Sequence, residues 1–430
     1  MIVIGGGAVG LCAAEALAGR GAEVTLFERG RCGAGASAGN AGWITPSLAV
    51  PVPGPGVILE SFRWIVNPSG PLWIRPTLSP AMLGWIARFV SSCARPAYRR
   101  GLFALQHAAA VAGPAFHRLA ERGVEFELHD QPLLYPAFEQ AELEHLWHVA
   151  DELRAVGVTE PLDRLASGEM LALEPALSER VLGGVIARGD CRVRPEALCE
   201  GVRRALVRGG AEVLEHTPAS SLVRDRSDWT VASGSVVRRA DAVVVAGGVA
   251  SAQLLARLGV RLPIAAAKGY SRTYPSAAGS PRQALYLESP KVAISAYEGA
   301  VRVSGTLELG ARGLRLSARR LTAITTAAER ALPRWQLPAH PYDWAGMRSL
   351  SPDGLPYIGP VPGLDGVHLA TGHGTLGITL APLTGELLAP LVLEGRRSEL
   401  LSAFDPARAI AGRGPRGRVQ RLRATTGGMR

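Results

Sequence analysis

The alternation of apolar and polar positions at the start of the chain predicts a strand, a glycine turn, a helix and a second strand. Residues 2–4 are apolar and lead into Gly5-Gly6-Gly7-Ala8-Val9-Gly10, which is followed by a largely apolar stretch over 11–17 and then by Glu23-Val24-Thr25-Leu26-Phe27. The first run after the glycines is long enough for a helix, and the second is short enough for a strand. The pattern therefore predicts a βαβ unit.

The spacing of Gly5, Gly7 and Gly10 matches the fingerprint of a dinucleotide-binding turn. Gly5 permits the tight turn, Gly7 lets the backbone approach a pyrophosphate, and Gly10 lets the helix pack closely on the sheet. The helix N terminus offers unpaired N–H groups to that pyrophosphate. Glu28 ends the second strand, where a carboxylate accepts hydrogen bonds from ribose hydroxyls. Together these features predict a bound dinucleotide.

The rest of the pattern predicts two interleaved domains in an α/β fold. Helices are predicted over 81–95, 101–121, 139–156, 195–208, 317–331 and 379–394, and strands over 124–128, 133–135, 211–215, 241–246, 263–270, 284–287, 292–296, 301–306 and 367–370. We expect a Rossmann-type domain from 1–90, 180–255 and 340–407, and a smaller α+β domain with an antiparallel sheet from 91–179 and 256–339. Residues 408–430, rich in Gly and Arg, are predicted to be a disordered basic tail.

A second GxGxxG pattern occurs at Gly372-His373-Gly374-Thr375-Leu376-Gly377. A pattern search alone would predict a second dinucleotide site here. The residues after it predict a single helix ended by Gly395, with no second strand that carries an acid. We therefore interpret this segment as the entry to a helix whose N terminus favours negative charge.

Composition and charge exclude several classes of protein. The net charge is +10, but Lys268 and Lys291 are the only lysines and many arginines lie in the tail, so we do not expect a nucleic-acid partner. Contact of the tail with an anionic membrane surface is the alternative. No apolar run reaches the ~18 residues of a membrane span. The five cysteines show neither a CxxC pair nor a metal-ligand spacing, so no metal is predicted.

The expected location is the cytoplasm, with peripheral contact at the inner membrane face as an option. The first strand begins at Met1, which leaves no room for a signal peptide. Unpaired thiols are typical of a reducing compartment. The pattern gives no indication of oligomeric state.

A set of motifs along the chain resembles a known family. They are the N-terminal fingerprint and the segments 36–46, 246–248, 268–271, 303–308, 346–359 and 372–374. In this order they resemble the D-amino-acid dehydrogenase branch of the FAD-dependent D-amino-acid oxidase superfamily, of which glycine oxidase and D-hydroxyproline dehydrogenases are close relatives. The resemblance implies non-covalent FAD, a Rossmann-type FAD domain and a second domain whose antiparallel sheet covers the isoalloxazine ring.

The resemblance also implies roles for individual residues. The residues expected to contact FAD are Gly5, Gly7, Ala8, Val9, Gly10, Glu28, Arg29, Ala36, Ser37, Asn40, Ala41, Gly42, Ala219, Ala246, Gly247, Gly346, Gly372, Gly374, Thr375, Leu376, Gly377 and Ile378. Arg348 matches the arginine that holds the substrate carboxylate, and Tyr286 and Leu307 fall at pocket positions. Two residues depart from the family pattern: Ser349 stands where proline is common, and Ala219 where valine is usual.

Each candidate at the substrate site has a second interpretation. Arg348 is one of many arginines, most of which form surface ion pairs, but it lies in a Gly-flanked segment before a Pro-Asp-Gly turn. His373 is either a base, since histidine titrates near neutral pH, or a loop residue hydrogen-bonded near the flavin. Tyr286 and Tyr270 are either substrate contacts or packing aromatics.

The resemblance implies oxidation of the Cα–N bond of a D-amino acid or cyclic imino acid. Hydride passes to flavin N5, and the imine hydrolyses to a 2-oxo acid or remains cyclic. The expected acceptor is a quinone or another carrier rather than oxygen, because the basic, aromatic-rich segments 62–64 and 85–89 and the tail suit a membrane surface. The alternatives are a glycine- or sarcosine-type oxidase and, in another class, a flavin-bearing RNA-modification protein or complex subunit.

Overall fold

A parallel sheet forms the centre of the N-terminal unit. The computed structural model describes residues 1–57, 70–75, 79–155, 162–225, 227–311 and 313–410. Within them, six strands pair in the order β10-β2-β1-β14-β21-β20, all parallel except the last pair. They are β1 (Ile2–Ile4), β2 (Thr25–Phe27), β10 (Glu212–Leu214), β14 (Val243–Val245), β20 (Tyr357–Pro360) and β21 (Val367–Thr371). The central strands are short, apolar and buried, as parallel strands covered on both faces must be.

A larger, mostly antiparallel sheet forms the second unit. Its order is β19-β15-β18-β17-β16-β6-β8-β7, with β4 added beside β18. Its strands are β4 (Leu72–Ile74), β6 (Leu133–Ala137), β7 (Asp163–Ala166), β8 (Gly183–Ala187), β15 (Ala265–Pro275), β16 (Ala284–Leu287), β17 (Val292–Tyr297), β18 (Ala300–Leu309) and β19 (Tyr342–Leu350). We call this the roof sheet.

Two small sheets complete the strands of the described residues. One joins β11 (Ser221–Asp225), β12 (Asp228–Ser233) and β13 (Val236–Ala240), and the other joins β3 (Trp43–Ile44), β5 (Leu128–His129) and β9 (Cys191–Val193). The predicted strand over 124–128 is therefore wrong for its first four residues, since only 128 lies in a strand. Instead, the Glu127 carboxylate accepts a hydrogen bond from the backbone N–H of Glu298.

The helices lie on both faces of the parallel sheet and beside the roof sheet. They are α1 (Ala8–Ala18), α2 (Pro80–Ser92), α3 (Arg95–Ala110), α4 (Ala112–Glu121), α5 (Gln140–Ala155), α6 (Ser167–Leu173), α7 (Pro195–Arg208), α8 (Ala250–Arg257), α9 (Ala318–Ala331) and α10 (Ala381–Glu394). Helices α1 and α10 pack so closely that position 385 must be glycine, since a Cβ there would lie only 2.4 Å from the Cys12 carbonyl oxygen. Helix α10 ends at Gly395 with φ +68°, as predicted.

The chain passes between the two units at positions that differ from the predicted domain boundaries. Strand β4 and helix α2 pack on the roof sheet, although residues up to 90 were predicted for the FAD domain. Helices α3 and α4 lie in the core with α1, although they follow that boundary. Strand β19 pairs with β15 in the roof sheet, so the chain returns to the parallel sheet after 350 and not near 340. Arg348 is therefore carried by the roof sheet.

The C-terminal end of the folded chain lies beyond the predicted boundary at 407. Arg408 donates from Nε to Asp353 Oδ2 at 2.7 Å and from Nη2 to the Leu355 carbonyl at 2.7 Å, and its guanidinium lies 4.3 Å from the Tyr357 ring centroid. Ile410 is buried. The predicted tail is thus wrong for 408–410, and residues 411–430 lie outside the described residues, as do 62–64. Among the described residues no helix is long and apolar enough to cross a membrane.

Candidate active site

The first βαβ turn brings three backbones together. Gly5 has φ +113°, and a Cβ there would lie 2.6 Å from the Ala246 carbonyl oxygen. A Cβ on Gly10 would lie 1.9 Å from the Gly5 carbonyl oxygen. The Ala246 N–H donates to the Ile4 carbonyl at 2.8 Å, so the end of β14 lies against the same turn. Glycine at positions 5 and 10 is required by these approaches rather than by the cofactor directly.

The same turn presents free N–H groups at the start of α1. The Ala8 N–H donates to Ser37 Oγ at 3.1 Å, whereas the N–H groups of Gly7, Val9 and Gly10 have no acceptor among the described residues. A Cβ on Gly7 would meet only Ser37 Oγ, at 3.4 Å, so the space in front of this backbone is open. Free N–H groups at a helix N terminus bind phosphate. The turn therefore fits the pyrophosphate of FAD.

Glu28 joins the turn to the next strand. Its Oε2 accepts from the Gly6 N–H at 2.7 Å and its Oε1 from the Gly30 N–H at 2.8 Å. Each carboxylate oxygen has a further lone pair. The carboxylate therefore fixes the glycine turn and retains capacity for the ribose hydroxyls. Arg29 is exposed beside it, and the backbone N–H of Ala219 has no acceptor within the described chain.

The segment 36–43 runs from this turn to the roof sheet. Ala36 is exposed, Ser37 lies at the α1 N terminus, and Gly42, with φ +72°, donates its N–H to Asn40 Oδ1 at 2.8 Å. Beyond it Trp43 packs in a cluster with Ala41 and with residues of β6 and β16. The segment thus connects the predicted pyrophosphate site with one face of the roof sheet.

The segment 372–378 follows β21, which is separated from β1 by β14 in the parallel sheet. Gly372 and Gly374 adopt φ of +78° and +57°, and helix α10 follows, as predicted, although it begins at Ala381. The N–H groups of Thr375, Gly377 and Ile378 have no acceptor in the described part of the chain. These groups form a second set of free donors, which fits the electron-rich edge of a flavin.

Arg348 lies on the inner face of the roof sheet, which we define as the face that carries Arg348, Gly269, Tyr286 and Trp344. A Cβ on Gly269 would lie 3.1 Å from Arg348 Nε and 3.7 Å from its Cζ, so the guanidinium rests against a residue without a side chain. Arg348 makes no hydrogen bond or ion pair with any described residue. Burial lowers its pKa, and the nearby Tyr286 opposes this effect. An unpaired, largely buried cation fits an anionic ligand.

Tyr286 lies between two other aromatic rings on this face. Its ring meets Trp43 edge-on at a centroid distance of 5.7 Å and Tyr135 at 5.8 Å. Burial raises the pKa of Tyr286, Glu288 raises it further, and Arg348 lowers it. The phenol therefore stays neutral and can donate a hydrogen bond. Leu307 is half-buried and pairs with Leu72 in the apolar cluster beneath α2.

His373 faces α10. Its Nε2 lies 3.1 Å from Thr384 Oγ1, and that hydroxyl donates to the Leu380 carbonyl at 2.7 Å. The Thr384 oxygen must therefore accept from a protonated Nε2. Burial lowers the pKa of His373 to about 3, so the ring stays neutral at physiological pH. This geometry favours the interpretation of His373 as a hydrogen-bonded loop residue over that of a base.

Sequence patterns did not single out several residues of this region. Ser47 donates to Asp190 through its N–H at 3.1 Å and bonds it through Oγ, and Tyr135 donates to Asp190 Oδ2 at 3.2 Å. The indole of Trp344 lies between Gly39 and Gly346, where a Cβ would be 1.9 Å and 2.1 Å away. The sequence did contain a signal for Trp344, because glycines at 39 and 346 leave room for a bulky ring. The buried Asp190 network had none, because its members lie far apart in the chain.

Comparisons with known proteins identify the family of the chain. The sequence profile of the family described as DAO, FAD dependent oxidoreductase, matches residues 1–391. A D-amino acid dehydrogenase of Bradyrhizobium diazoefficiens is 32% identical over 413 residues, which cover 93% of this chain and 96% of the relative. One of Methylobacterium nodulans is 32% identical over 411 residues, with 93% and 96% covered. The crystal structure of glycine oxidase from Geobacillus kaustophilus superposes with a TM-score of 0.73 at 26% identity, over 95% of this chain and 98% of that chain.

Proposed function

Because the chain belongs to the family of FAD dependent oxidoreductases, we propose that it oxidises the Cα–N bond of a D-amino acid or cyclic imino acid and passes the electrons to a carrier other than oxygen. The family resemblance of the motifs, the α/β fold and FAD as the cofactor are confirmed. The substrate and the acceptor are the proposal, and the relatives named D-amino acid dehydrogenase support it.

The observation that carries the proposal is the unpaired guanidinium of Arg348. A carboxylate that enters a pocket needs a fixed cation, because the loss of its hydration is costly. The planar fork of arginine binds both carboxylate oxygens and so fixes the orientation of the ligand. Arg348 has no partner among the described residues and rests over Gly269. We therefore place the substrate carboxylate at Arg348.

FAD, when bound, takes up the hydride from the substrate Cα. The residues of this chain bind and orient the substrate for that step. Arg348 holds the carboxylate, and the edge-on rings of Trp43 and Tyr286 exclude water beside it. Among the described residues, Tyr286 lies close enough to Arg348 to oppose the lowering of its pKa by burial, and the Tyr286 phenol itself stays neutral.

The surface of α2 and α3 supports an acceptor at a membrane. Trp85 is buried and Phe89 half-buried, and both pack on the roof sheet rather than outward. The outward side exposes Leu83, Val90 and Phe103, at 51%, 46% and 67% of their surface. The same two helices also carry exposed arginines: Arg88, Arg95, Arg99 and Arg100. An apolar surface with basic neighbours suits peripheral contact with anionic lipid, where quinones reside.

The substrate is identified by anaerobic bleaching of the bound flavin. Purified holoprotein is mixed without oxygen with each of a panel of D-amino acids, glycine, sarcosine and hydroxy-D-proline. The proposal expects fast bleaching by at least one D-amino or cyclic imino acid and slow bleaching by the L-enantiomers. No bleaching by any member of the panel would overturn the assigned substrate class.

The similarity to glycine oxidase favours one alternative, a glycine- or sarcosine-type oxidase. Oxygen uptake and reduction of a quinone analogue are compared at the same substrate concentration. The proposal expects the quinone analogue to be reduced much faster. Oxygen uptake at an equal or higher rate, with glycine or sarcosine as the best substrate, would establish the alternative.

A further inference from the structure

The hairpin of β17 and β18 reaches from the roof sheet to the segment expected to pass the flavin. Three of its side chains, Ser295, Tyr297 and Arg302, contact backbone carbonyls of Asn40 and Ala41, and we call these three residues the carbonyl clamp. All three are buried, and Arg302 is only 2% exposed. The roof sheet therefore holds this backbone directly.

Arg302 makes the most contacts of the clamp. Its Nη1 donates to the Asn40 carbonyl at 2.8 Å, its Nε donates to Thr273 Oγ1 at 2.9 Å, and its Nη2 forms an ion pair with Glu196. The guanidinium also lies 5.6 Å from the Tyr297 ring centroid. Because its planar fork is fixed on several sides, Arg302 sets the direction of the Asn40 carbonyl.

The carbonyls after Asn40 are held in the same way. The Ala41 carbonyl accepts from Ser295 Oγ at 2.7 Å and from Tyr297 OH at 2.5 Å. The Gly42 carbonyl accepts from the Val193 N–H at 2.8 Å, and the Trp43 carbonyl accepts from Thr379 Oγ1 at 2.9 Å. Four successive carbonyls therefore have protein donors. The loop is therefore fixed through its carbonyl groups.

The planar peptide bond then fixes the position of one donor. In a trans peptide the C=O and the following N–H point in opposite directions. Since the Asn40 carbonyl points toward Arg302 in the roof sheet, the Ala41 N–H points away from Arg302. This N–H has no acceptor among the residues that the structure describes. A buried N–H without an acceptor is uncommon and indicates a ligand that completes it.

The neighbourhood of Ala41 indicates which part of the cofactor it meets. Ala41 and Trp43 belong to one packed cluster, and Trp43 lies edge-on to Tyr286. Tyr286 acts electrostatically on Arg348. The redox-active ring must lie within reach of a substrate held at Arg348, because hydride transfer requires contact of the reacting atoms. The Ala41 N–H is therefore at the ring end of FAD and not at its adenosine end.

We propose that Arg302 is a positioning residue for the flavin: its hydrogen bond to the Asn40 carbonyl turns the Ala41 N–H toward the flavin ring. A fixed N–H donor stabilises the reduced ring, which carries more negative charge, more than the oxidised ring. Arg302 thereby raises the reduction potential of bound FAD. The placement of the ring beside Ala41 rests on the proposed substrate site at Arg348, whereas the effect of Arg302 on bound FAD is measured without any substrate.

The test is the midpoint potential of bound FAD, measured by dithionite reduction with a reference dye. In Arg302→Met the preference of the protein for reduced over oxidised FAD should fall about tenfold, which for a two-electron couple is about 30 mV to lower potential. Arg302→Lys keeps a cation beside Glu196 without the planar fork, and should shift the potential in the same direction. Arg302→Lys carries the test if Arg302→Met does not fold.

Glu196→Gln is the matched control. It removes the ion pair of Arg302 but leaves the Asn40 contact, so the potential should stay within a few millivolts of wild type. Thermal unfolding of each apoprotein measures the structural contribution separately. If both Arg302 variants keep the wild-type potential, or if Glu196→Gln lowers it as much as they do, Arg302 is only a structural support and the proposal is overturned.

Discussion

The two ends of the FAD site are built in different ways. The proposed adenosine end is formed almost wholly by one continuous stretch, residues 5–37, through backbone N–H groups and one carboxylate. The proposed ring end is assembled from side chains of strands that lie hundreds of residues beyond the glycine turn, among them Tyr286, Arg302 and Arg348. The first end recognises a phosphate group that every FAD carries, and the second determines what the flavin can oxidise.

The largest expected effect on FAD binding comes from breaking the adenosine end. In Gly10→Val the new Cβ would lie 1.9 Å from the Gly5 carbonyl, and backbone there cannot move without separating α1 from the parallel sheet. Overpacking of this kind costs about 1–3 kcal/mol or more. We expect the protein to lose FAD on purification and to unfold at lower temperature, as measured by the flavin-to-protein absorbance ratio and by thermal unfolding. Gly19→Ala, in an ordinary helix end, is the control and should retain FAD.

Retention of FAD by Gly10→Val at the wild-type ratio would show that the close approach of α1 to the turn is not needed for binding.

A smaller effect tests the single carboxylate of the adenosine end. Glu28→Ala removes the acceptor of the Gly6 and Gly30 N–H groups and the predicted ribose contact. We expect FAD binding to weaken by about 1.5–3 kcal/mol, the range for hydrogen bonds to a charged group. The dissociation constant is measured by flavin fluorescence during reconstitution of the apoprotein. Exposed Glu23→Ala is the control. An unchanged constant in Glu28→Ala would mean that the adenosine lies elsewhere.

The ring end differs again in its response to acid. The pKa of His373 is lowered by burial to about 3, while its unfolded pKa is about 6.5. Between these values only the unfolded state is protonated, so stability is complete above pH 6.5 and falls as the pH falls. From pH 7 to 5 this group should cost about 2 kcal/mol. In His373→Gln, whose side chain can still donate to Thr384, the free energy of unfolding in urea should therefore fall by about 2 kcal/mol less between pH 7 and pH 5 than in wild type. Equal losses in both proteins would contradict the lowered pKa.

Much of the adenosine end and little of the ring end could be predicted from the sequence. The glycine turn and Glu28 are local, so spacing alone was sufficient to place them. Arg348 was named from the family resemblance. The prediction that its segment belongs to the domain of the parallel sheet was wrong, because the pairing of β19 with β15 depends on tertiary structure. Arg302 and Asp190 carried no local signal, since their roles arise from partners in distant segments.

The smallest expected effect lies at the C terminus. Deletion of residues 411–430 should leave FAD content and dye-linked activity unchanged, because this stretch has no apolar pattern. Arg408→Ala in the full chain should lower stability by about 1 kcal/mol, since it removes a partly buried ion pair with Asp353. Thermal unfolding of both variants is the measurement. A deletion that is more damaging than Arg408→Ala would assign the tail a role in the fold.

The measurement that tests the central claim most directly is anaerobic flavin bleaching with a matched pair of substrates in wild type and Arg348→Ala. The pair is the best D-amino acid of the panel and the amine that lacks its carboxylate. We expect the variant to bind FAD normally but to lose about 2–5 kcal/mol in kcat/KM for the amino acid, the usual cost of truncating one side of a buried charge pair. The amine should bleach wild type slowly and should be almost unaffected by the substitution. If Arg348→Ala is bleached by the amino acid as fast as wild type and at the same concentration, the carboxylate binds elsewhere and the placement of the active site on the inner face of the roof sheet is wrong.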